Sequence, residues 1–180
     1  MKDKIKYEQK AEEFAMKAHK GQYRLDGKTT YIEHPRNVAR LLKEAGIKDE
    51  NILCAAWLHD VVEDCGIEIE RIGREFNMEI ARIVFALTRD KTRSREEYIK
   101  KIKNSDFAVQ IVKLADVSHN LMTLHKDVPE NTVRNIINDC NSFYFGLARK
   151  ISPTFYNLLQ TYLDSYRIMQ KQEVQLAWKR

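Results

Sequence analysis

Apolar residues recur along this chain three or four positions apart, which is the spacing of α-helices rather than the alternation of strands. The first such segment carries Ile5, Ala11, Phe14 and Ala18, and Gly21 stops it. Further helices are predicted over residues 38–45, 68–76, 78–87, 96–103, 107–124, 133–151 and 155–178. The pattern therefore predicts an all-α fold.

Prolines and one glycine turn punctuate these helices. Pro35, Pro129 and Pro153 each fall where a helix could begin. Residues 22–33, with a turn at Asp26-Gly27, are the one candidate for a short β-hairpin. His34 directly precedes Pro35, which predicts an extended residue just outside the next helix.

The stretch from residue 52 to residue 62 is apolar on all sides, which predicts a buried helix. His59 and Glu63 would stack four residues apart on that helix, and Asp60 and Asp64 would form the neighbouring row on the same face. A solvated acidic stripe at a helix end is the simpler interpretation. Inside a core, however, such side chains are costly unless they are paired or bind a metal.

A second apolar helix, residues 107–124, carries polar side chains on one face. Asp116, His119, Asn120 and Thr123 recur there with the spacing of helical turns. A buried Asp116 needs a compensating charge, and a metal ion shared with His59 and Asp60 would supply it. For His119, and for His19 near the start of the chain, packing in the core is the favoured interpretation.

Composition narrows the class of protein. The 180 residues are 43% hydrophobic and 32% charged, as expected for one globular domain spanning residues 1–180. No apolar run approaches a membrane span and the first ten residues do not form a signal peptide, so we expect a cytoplasmic protein without membrane contact. Cys54, Cys65 and Cys140 are expected to be reduced. The net charge of +5 suits polyanions, whether nucleic acid or phosphorylated small molecules.

The order His34, His59-Asp60, Asp116 resembles the HD superfamily of metal-dependent phosphohydrolases. Within it, residues 18–24, 31–35, 58–64 and 113–116 are similar to the hydrolase domain of RelA/SpoT-type alarmone enzymes, and above all to the single-domain small alarmone hydrolases. This resemblance implies an HD-domain bundle of about ten helices. It also implies removal of the 3′-pyrophosphate of guanosine tetraphosphate or pentaphosphate with Mn²⁺, or with another divalent metal.

The resemblance also assigns roles to single residues. The implied metal ligands are His34, His59, Asp60 and Asp116. Glu63 and Asp64 would orient and deprotonate the attacking water, which the metal activates. The implied substrate-binding residues are Arg24, Lys91, Asn120, Thr123 and Tyr144.

Three positions that are usually basic in this family are apolar here, namely Leu25, Val117 and Met122. Fewer cations weaken the binding of a pyrophosphate, since a charge-assisted hydrogen bond contributes about 1.5 to 3 kcal/mol. Candidates to compensate are Lys28, Arg89 and Arg93. The same hydrolysis of another nucleotide therefore stays open: an adenosine alarmone, the 2′-phosphate of NADPH or a deoxynucleotide.

A third alternative is a non-catalytic basic module that binds nucleotides or nucleic acid. The complete set of ligands together with Glu63 and Asp64 counts against it, and no helix-turn-helix or aromatic RNA-binding motif is present. We therefore expect a phosphorylated nucleotide as the partner rather than nucleic acid. The sequence leaves the oligomeric state open between monomer and homodimer.

Overall fold

The computed structural model describes residues 7–124 and 128–177, with side chains through residue 169. Within these ranges the chain is helical, as predicted, and it separates into two compact units at Asp116/Val117. The α-helices are α1 Tyr7–Ala18, α2 Glu33–Glu44, α3 Glu50–Leu58, α4 Val61–Cys65, α5 Ile69–Glu75, α6 Met78–Leu87, α7 Arg95–Lys103, α8 Phe107–Met122, α9 Glu130–Asp139, α10 Phe145–Ile151 and α11 Pro153–Ala177, and a π-helical segment, Cys140–Tyr144, joins α9 to α10.

Helix α3 lies at the centre of the first unit, where it packs against α1, α2 and α6. All of its residues from Ile52 to Leu58 are buried, because the segment has no polar side. Its start is well defined, since the Asp49 carboxylate accepts hydrogen bonds from the backbone N–H groups of Asn51 and Ile52. The predicted buried helix therefore exists, and it forms a rigid base for the polar residues after it.

That helix does not run through residue 62, however, and the prediction of one continuous helix is wrong. Helix α3 ends at Leu58, α4 begins at Val61, and Asp60 between them has φ −101° and ψ −8°. The His59 ring donates through Nδ1 to the Ala56 carbonyl oxygen at 2.8 Å. The side chain thus competes with the backbone for a carbonyl that a continuous helix would use, which favours a break here.

His34 lies inside α2 rather than before it, so the expectation of an extended residue is wrong. Helix α2 begins at Glu33, which puts both His34 and Pro35 in its first turn. The first N–H groups of a helix have no acceptor within it, so the missing N–H of Pro35 costs nothing there. Pro129 directly precedes α9 and Pro153 begins α11, which confirms the expected helix starts.

The segment before α2 is a tight loop. The expected hairpin is reduced to a single antiparallel bridge between Tyr23 and Thr30, without a strand among the described residues. The Asp26 carboxylate accepts from the N–H groups of Lys28 and Thr29 at 2.9 Å each, and Gly27 takes φ +67°. The loop leads directly into Tyr31 and α2.

The second unit contains the end of α8 and all helices after it. The single helix expected over residues 133–151 is interrupted by the π-helical segment. Helix α10 packs against α11, whose buried side chains include Phe155, Leu159 and Leu163. Cys54, Cys65 and Cys140 are free thiols, as expected. Among the residues described, no helix is both long enough and apolar enough to span a bilayer.

Candidate metal centre

Four polar side chains meet in the first unit, although they come from three separate parts of the chain. His34 comes from α2, His59 and Asp60 from the break between α3 and α4, and Asp116 from α8. His34 Nε2 lies 3.2 Å from His59 Nε2 and 3.1 Å from Asp116 Oδ1. Asp60 Oδ2 lies 3.1 Å from His59 Nε2 and 3.5 Å from His34 Nε2.

These atoms have the character of metal ligands. The Nδ1 of His59 donates to a backbone carbonyl, which in the neutral ring leaves a lone pair on Nε2 that faces the cluster. His34 and His59 are only 1% and 4% exposed. Several electron-rich atoms so close together in a buried place repel one another unless a cation lies among them. The ligand atoms of His34, His59 and Asp60 all lie within 4.8 Å of one another, so one ion can reach them all.

The pKa values of the four side chains indicate that the cluster favours a positive charge. Burial disfavours a charged His59, but the Asp60 carboxylate, Asp116 and a backbone carbonyl together outweigh burial and raise the pKa of His59 to about 9. For His34 burial prevails and lowers the pKa. Burial opposes ionisation of the two carboxyl groups, yet their pKa values are lowered, by His59 for Asp60 and mainly by Lys113 for Asp116. The field that favours a proton on His59 also favours a divalent ion.

Lys113 orients Asp116 from outside the cluster, and sequence reasoning missed this role. Its Nζ donates to Asp116 Oδ2 at 2.7 Å, while Oδ1 of the same carboxylate faces His34. The ammonium also lies 5.2 Å from the centroid of the Tyr98 ring, which favours a cation at this place. The signal was a lysine three residues before a buried aspartate on the same helix.

Glu63 and Asp64 lie on α4, in the turn directly after the break. Glu63 is half-buried, and its Oε2 accepts from the Arg89 backbone N–H at 3.0 Å, which fastens the basic loop after α6 to α4. Asp64 is exposed, and its Oδ2 is within 2.8 Å of the Tyr31 hydroxyl. The same hydroxyl lies 2.7 Å from Asp60 Oδ2. Tyr31 was visible in the sequence only as part of a motif, and no helical periodicity marks it.

The expected substrate-binding residues fall into both units. In the first, the Arg24 guanidinium lies over the Tyr31 ring at 5.7 Å, and Lys91 is exposed in the loop after α6. The remaining three, Asn120, Thr123 and Tyr144, belong to the second unit. There the Thr123 hydroxyl donates to the His119 carbonyl oxygen, and Tyr144 is buried.

His19 packs in the core, which agrees with the interpretation favoured for it. It is buried, its ring stacks on Tyr31 at 4.6 Å between centroids, and its Nδ1 lies 2.7 Å from Gln22 Oε1. His119 is buried in α8. Of the positions that are apolar instead of basic, Leu25 is 63% exposed, whereas Val117 is buried.

Comparison with known proteins agrees with this geometry. The family described as "HD domain" matches residues 11–152, which is most of the chain and includes every residue of the cluster. The chain belongs to the HD-domain family. The resemblance predicted from the order of histidines and aspartates is thereby confirmed.

Relatives of this HD-domain chain share one activity in their names. The chain is 39% identical over 147 residues to the human guanosine-3′,5′-bis(diphosphate) 3′-pyrophosphohydrolase MESH1, covering 78% of this chain and 80% of that one. It is 37% identical over 165 residues to the guanosine-3′,5′-bis(diphosphate) 3′-pyrophosphohydrolase of Borreliella burgdorferi, covering 86% of this chain but 24% of that larger protein.

A solved structure is also similar to this chain. It is described as a metazoan ortholog of SpoT that hydrolyzes ppGpp, and it superimposes on this HD-domain chain with a TM-score of 0.76 at 27% identity. The match covers 89% of this chain and 95% of the other. The similarity therefore extends over nearly the whole of both chains.

Proposed function

We propose that this HD-domain protein is a metal-dependent pyrophosphohydrolase that removes the 3′-pyrophosphate from guanosine tetraphosphate or pentaphosphate. The observation that carries the proposal is the convergence of His34, His59, Asp60 and Asp116 at one buried point. The 39% identity to a human enzyme named for this reaction supports the choice of substrate.

The four converging side chains would hold the metal ion. Two imidazole nitrogens and two carboxylates, without a thiolate, suit a borderline-to-hard divalent ion, and Mn²⁺ is the ion we propose. When bound, such an ion supplies Lewis-acid polarisation of a phosphate oxygen and lowers the pKa of water. The orientation of the ligands comes from the chain itself, through the Ala56 carbonyl behind His59 and Lys113 behind Asp116.

Glu63 and Asp64 would handle the proton of the attacking water. Glu63 is held by the Arg89 N–H through Oε2 in a half-buried place, which suits a carboxylate that accepts a proton. Asp64, tied to Asp60 through Tyr31, would orient the same water. The residues proposed to bind the nucleotide are those that the family resemblance assigns, namely Arg24, Lys91, Asn120, Thr123 and Tyr144.

The extent of the domain belongs to the same proposal. The family match begins in the first unit and continues through residue 152 in the second, which supports one hydrolase domain over residues 1–180. A cytoplasmic location and the choice between monomer and homodimer stay predictions.

One observation favours a second candidate substrate. Leu25 is largely exposed at a position where the family is usually basic, directly after Arg24. A loop with one positive charge fewer favours a less highly charged nucleotide. Hydrolysis of another phosphorylated nucleotide by the same residues is therefore the alternative.

Product analysis tests both candidates. The Mn²⁺-loaded protein is incubated with guanosine tetraphosphate, and the products are separated by anion-exchange chromatography. We expect GDP and pyrophosphate in equal amounts, with the activity lost in His59→Ala and Glu63→Gln. Glu13→Gln, at an exposed glutamate of α1, serves as the matched control and should retain it.

Two results would contradict the proposal. Release of free phosphate instead of pyrophosphate would show that the bond broken is a different one. A Mn²⁺-loaded protein that leaves guanosine tetraphosphate intact but hydrolyses another nucleotide of a panel would establish that nucleotide as the substrate instead.

A further inference from the structure

The Tyr31 hydroxyl joins the proposed metal ligands to the proposed water-handling carboxylates. It lies 2.7 Å from Asp60 Oδ2 and 2.8 Å from Asp64 Oδ2, so a single hydroxyl is shared between the two side chains. Asp60 Oδ2 is also the atom that lies 3.1 Å from His59 Nε2. The tyrosine therefore contacts the very oxygen that faces the cluster.

The Tyr31 ring is held firmly enough to place this hydroxyl. The His19 ring stacks on it at 4.6 Å with an angle of 22° between the planes, and His34 meets it edge-on at 6.0 Å. On the loop side the Arg24 guanidinium lies 5.7 Å from its centroid. His19 is in turn in contact with Gln22 at 2.7 Å. The ring has little freedom to move the hydroxyl away from the two carboxylates.

The hydroxyl has a single proton, which it shares between the two carboxylate oxygens or donates to either one, so its position constrains both side chains. A carboxylate that binds a metal keeps its orientation only if a second interaction holds it, and loss of such a contact weakens metal binding or activity roughly 10- to 100-fold. Asp64 on α4 is exposed, and among the described residues no other contact holds its carboxylate in place. Glu63, by contrast, accepts a hydrogen bond from the Arg89 N–H. Without Tyr31, Asp64 would sample many rotamers.

We propose that Tyr31 is a positioning residue, whose hydroxyl orients Asp60 toward the metal and Asp64 toward the attacking water. The inference rests on the proposed function for its second half. Its first half concerns metal binding alone.

The first half is tested by Mn²⁺ binding, measured through the electron paramagnetic resonance signal of the free ion. Tyr31→Phe removes the hydroxyl and keeps the ring, so we expect Mn²⁺ to bind roughly 10- to 100-fold more weakly. Tyr23→Phe, at an exposed tyrosine of the same loop, is the matched control and should bind as the wild type does. Circular dichroism of both variants checks that the helices are intact.

The second half is tested by kcat at saturating Mn²⁺ in a cycle of Tyr31→Phe, Asp64→Ala and the double variant. If the hydroxyl acts through Asp64, Tyr31→Phe lowers kcat strongly in the wild type but much less once Asp64 is absent. The KM for guanosine tetraphosphate should change less than kcat, because Tyr31 acts on the carboxylates rather than on the substrate.

The outcomes separate this inference from the proposed function. Unchanged Mn²⁺ affinity in Tyr31→Phe would overturn the role toward Asp60, and independent, multiplying losses in kcat would overturn the role toward Asp64. If the wild type hydrolyses no guanosine tetraphosphate, the proposed function fails, but the Mn²⁺ measurement still decides the first half.

Discussion

The affinity of the cluster for Mn²⁺ is expected to rise with pH, because a proton and a metal ion compete for the same lone pair. His59 Nε2 faces the cluster and the pKa of His59 is raised to about 9. The pKa values of His34, Asp60 and Asp116 are all lowered, so near neutral pH the His34 ring is uncharged and both carboxyl groups are ionised. One proton, that of His59, must therefore leave for each ion that binds.

The size of the effect depends on that pKa. For each pH unit below the pKa of His59, removing its proton costs about 1.4 kcal/mol more. The Kd for Mn²⁺ should therefore fall about tenfold from about pH 7 to about pH 8. At a fixed Mn²⁺ concentration well above Kd, the difference in stability between the Mn²⁺-bound and the metal-free protein should grow by about 1.4 kcal/mol, or roughly 3 to 6 °C in the difference between their Tm values for a chain of this size.

The growing difference comes from the metal-free protein, which becomes less stable as the pH rises. His59 binds its proton more tightly in the folded state than in the unfolded chain, where its pKa is about 6.5. This contribution to stability is complete below about pH 6.5 and is lost as the pH rises toward 9. The loss of this His59 contribution should lower the unfolding temperature of the metal-free protein from about pH 7 to about pH 8.

Calorimetric titration with Mn²⁺, paired with thermal unfolding in Mn²⁺ and in EDTA, measures both trends. His119→Gln is the matched control at a second buried histidine and should keep the same dependence on pH. A Kd that changes less than about twofold over this pH unit would refute the reasoning, because it would show that no proton leaves His59 when the metal binds.

Three further predictions concern the loops and helix ends. Gly66→Ala should lower the free energy of unfolding by about 1 kcal/mol, because Gly66 ends α4 at φ +65°, which is unfavourable for alanine although an added Cβ meets no atom within 4 Å. Gly146→Ala within α10 should be neutral or stabilising. Equal effects of the two substitutions in urea unfolding would contradict this. Leu25→Arg should lower the KM for guanosine tetraphosphate without changing Tm, since Leu25 is exposed, and an unchanged KM would show that this position does not meet the phosphates. Ser94→Ala should cost about 1 kcal/mol, because Ser94 and Glu97 form a capping box at the start of α7, and an unchanged urea midpoint would count against it.

The helices could be predicted from the sequence because their signals are local. The apolar run before His59 became the fully buried α3, and Pro129 and Pro153 marked the starts of α9 and α11. The same local rules failed at several places, and two of these failures concern the cluster. His34 was expected to be extended because it precedes a proline, and the helix through residue 62 was expected to be continuous. Both errors fall on residues of the cluster, where contacts with distant parts of the chain compete with local preference.

By itself, the sequence determined the helical class, the buried central helix and the residue types of the candidate ligands, since periodicity and residue chemistry are properties of short segments. Only the tertiary structure decided which atoms face one another. Tyr31 and Asp60 are 29 positions apart, and no pattern within either segment predicts that the hydroxyl of one meets the carboxylate of the other at 2.7 Å. Such contacts depend on how separate helices pack, because a hydrogen bond requires a geometry that sequence spacing does not specify across a loop.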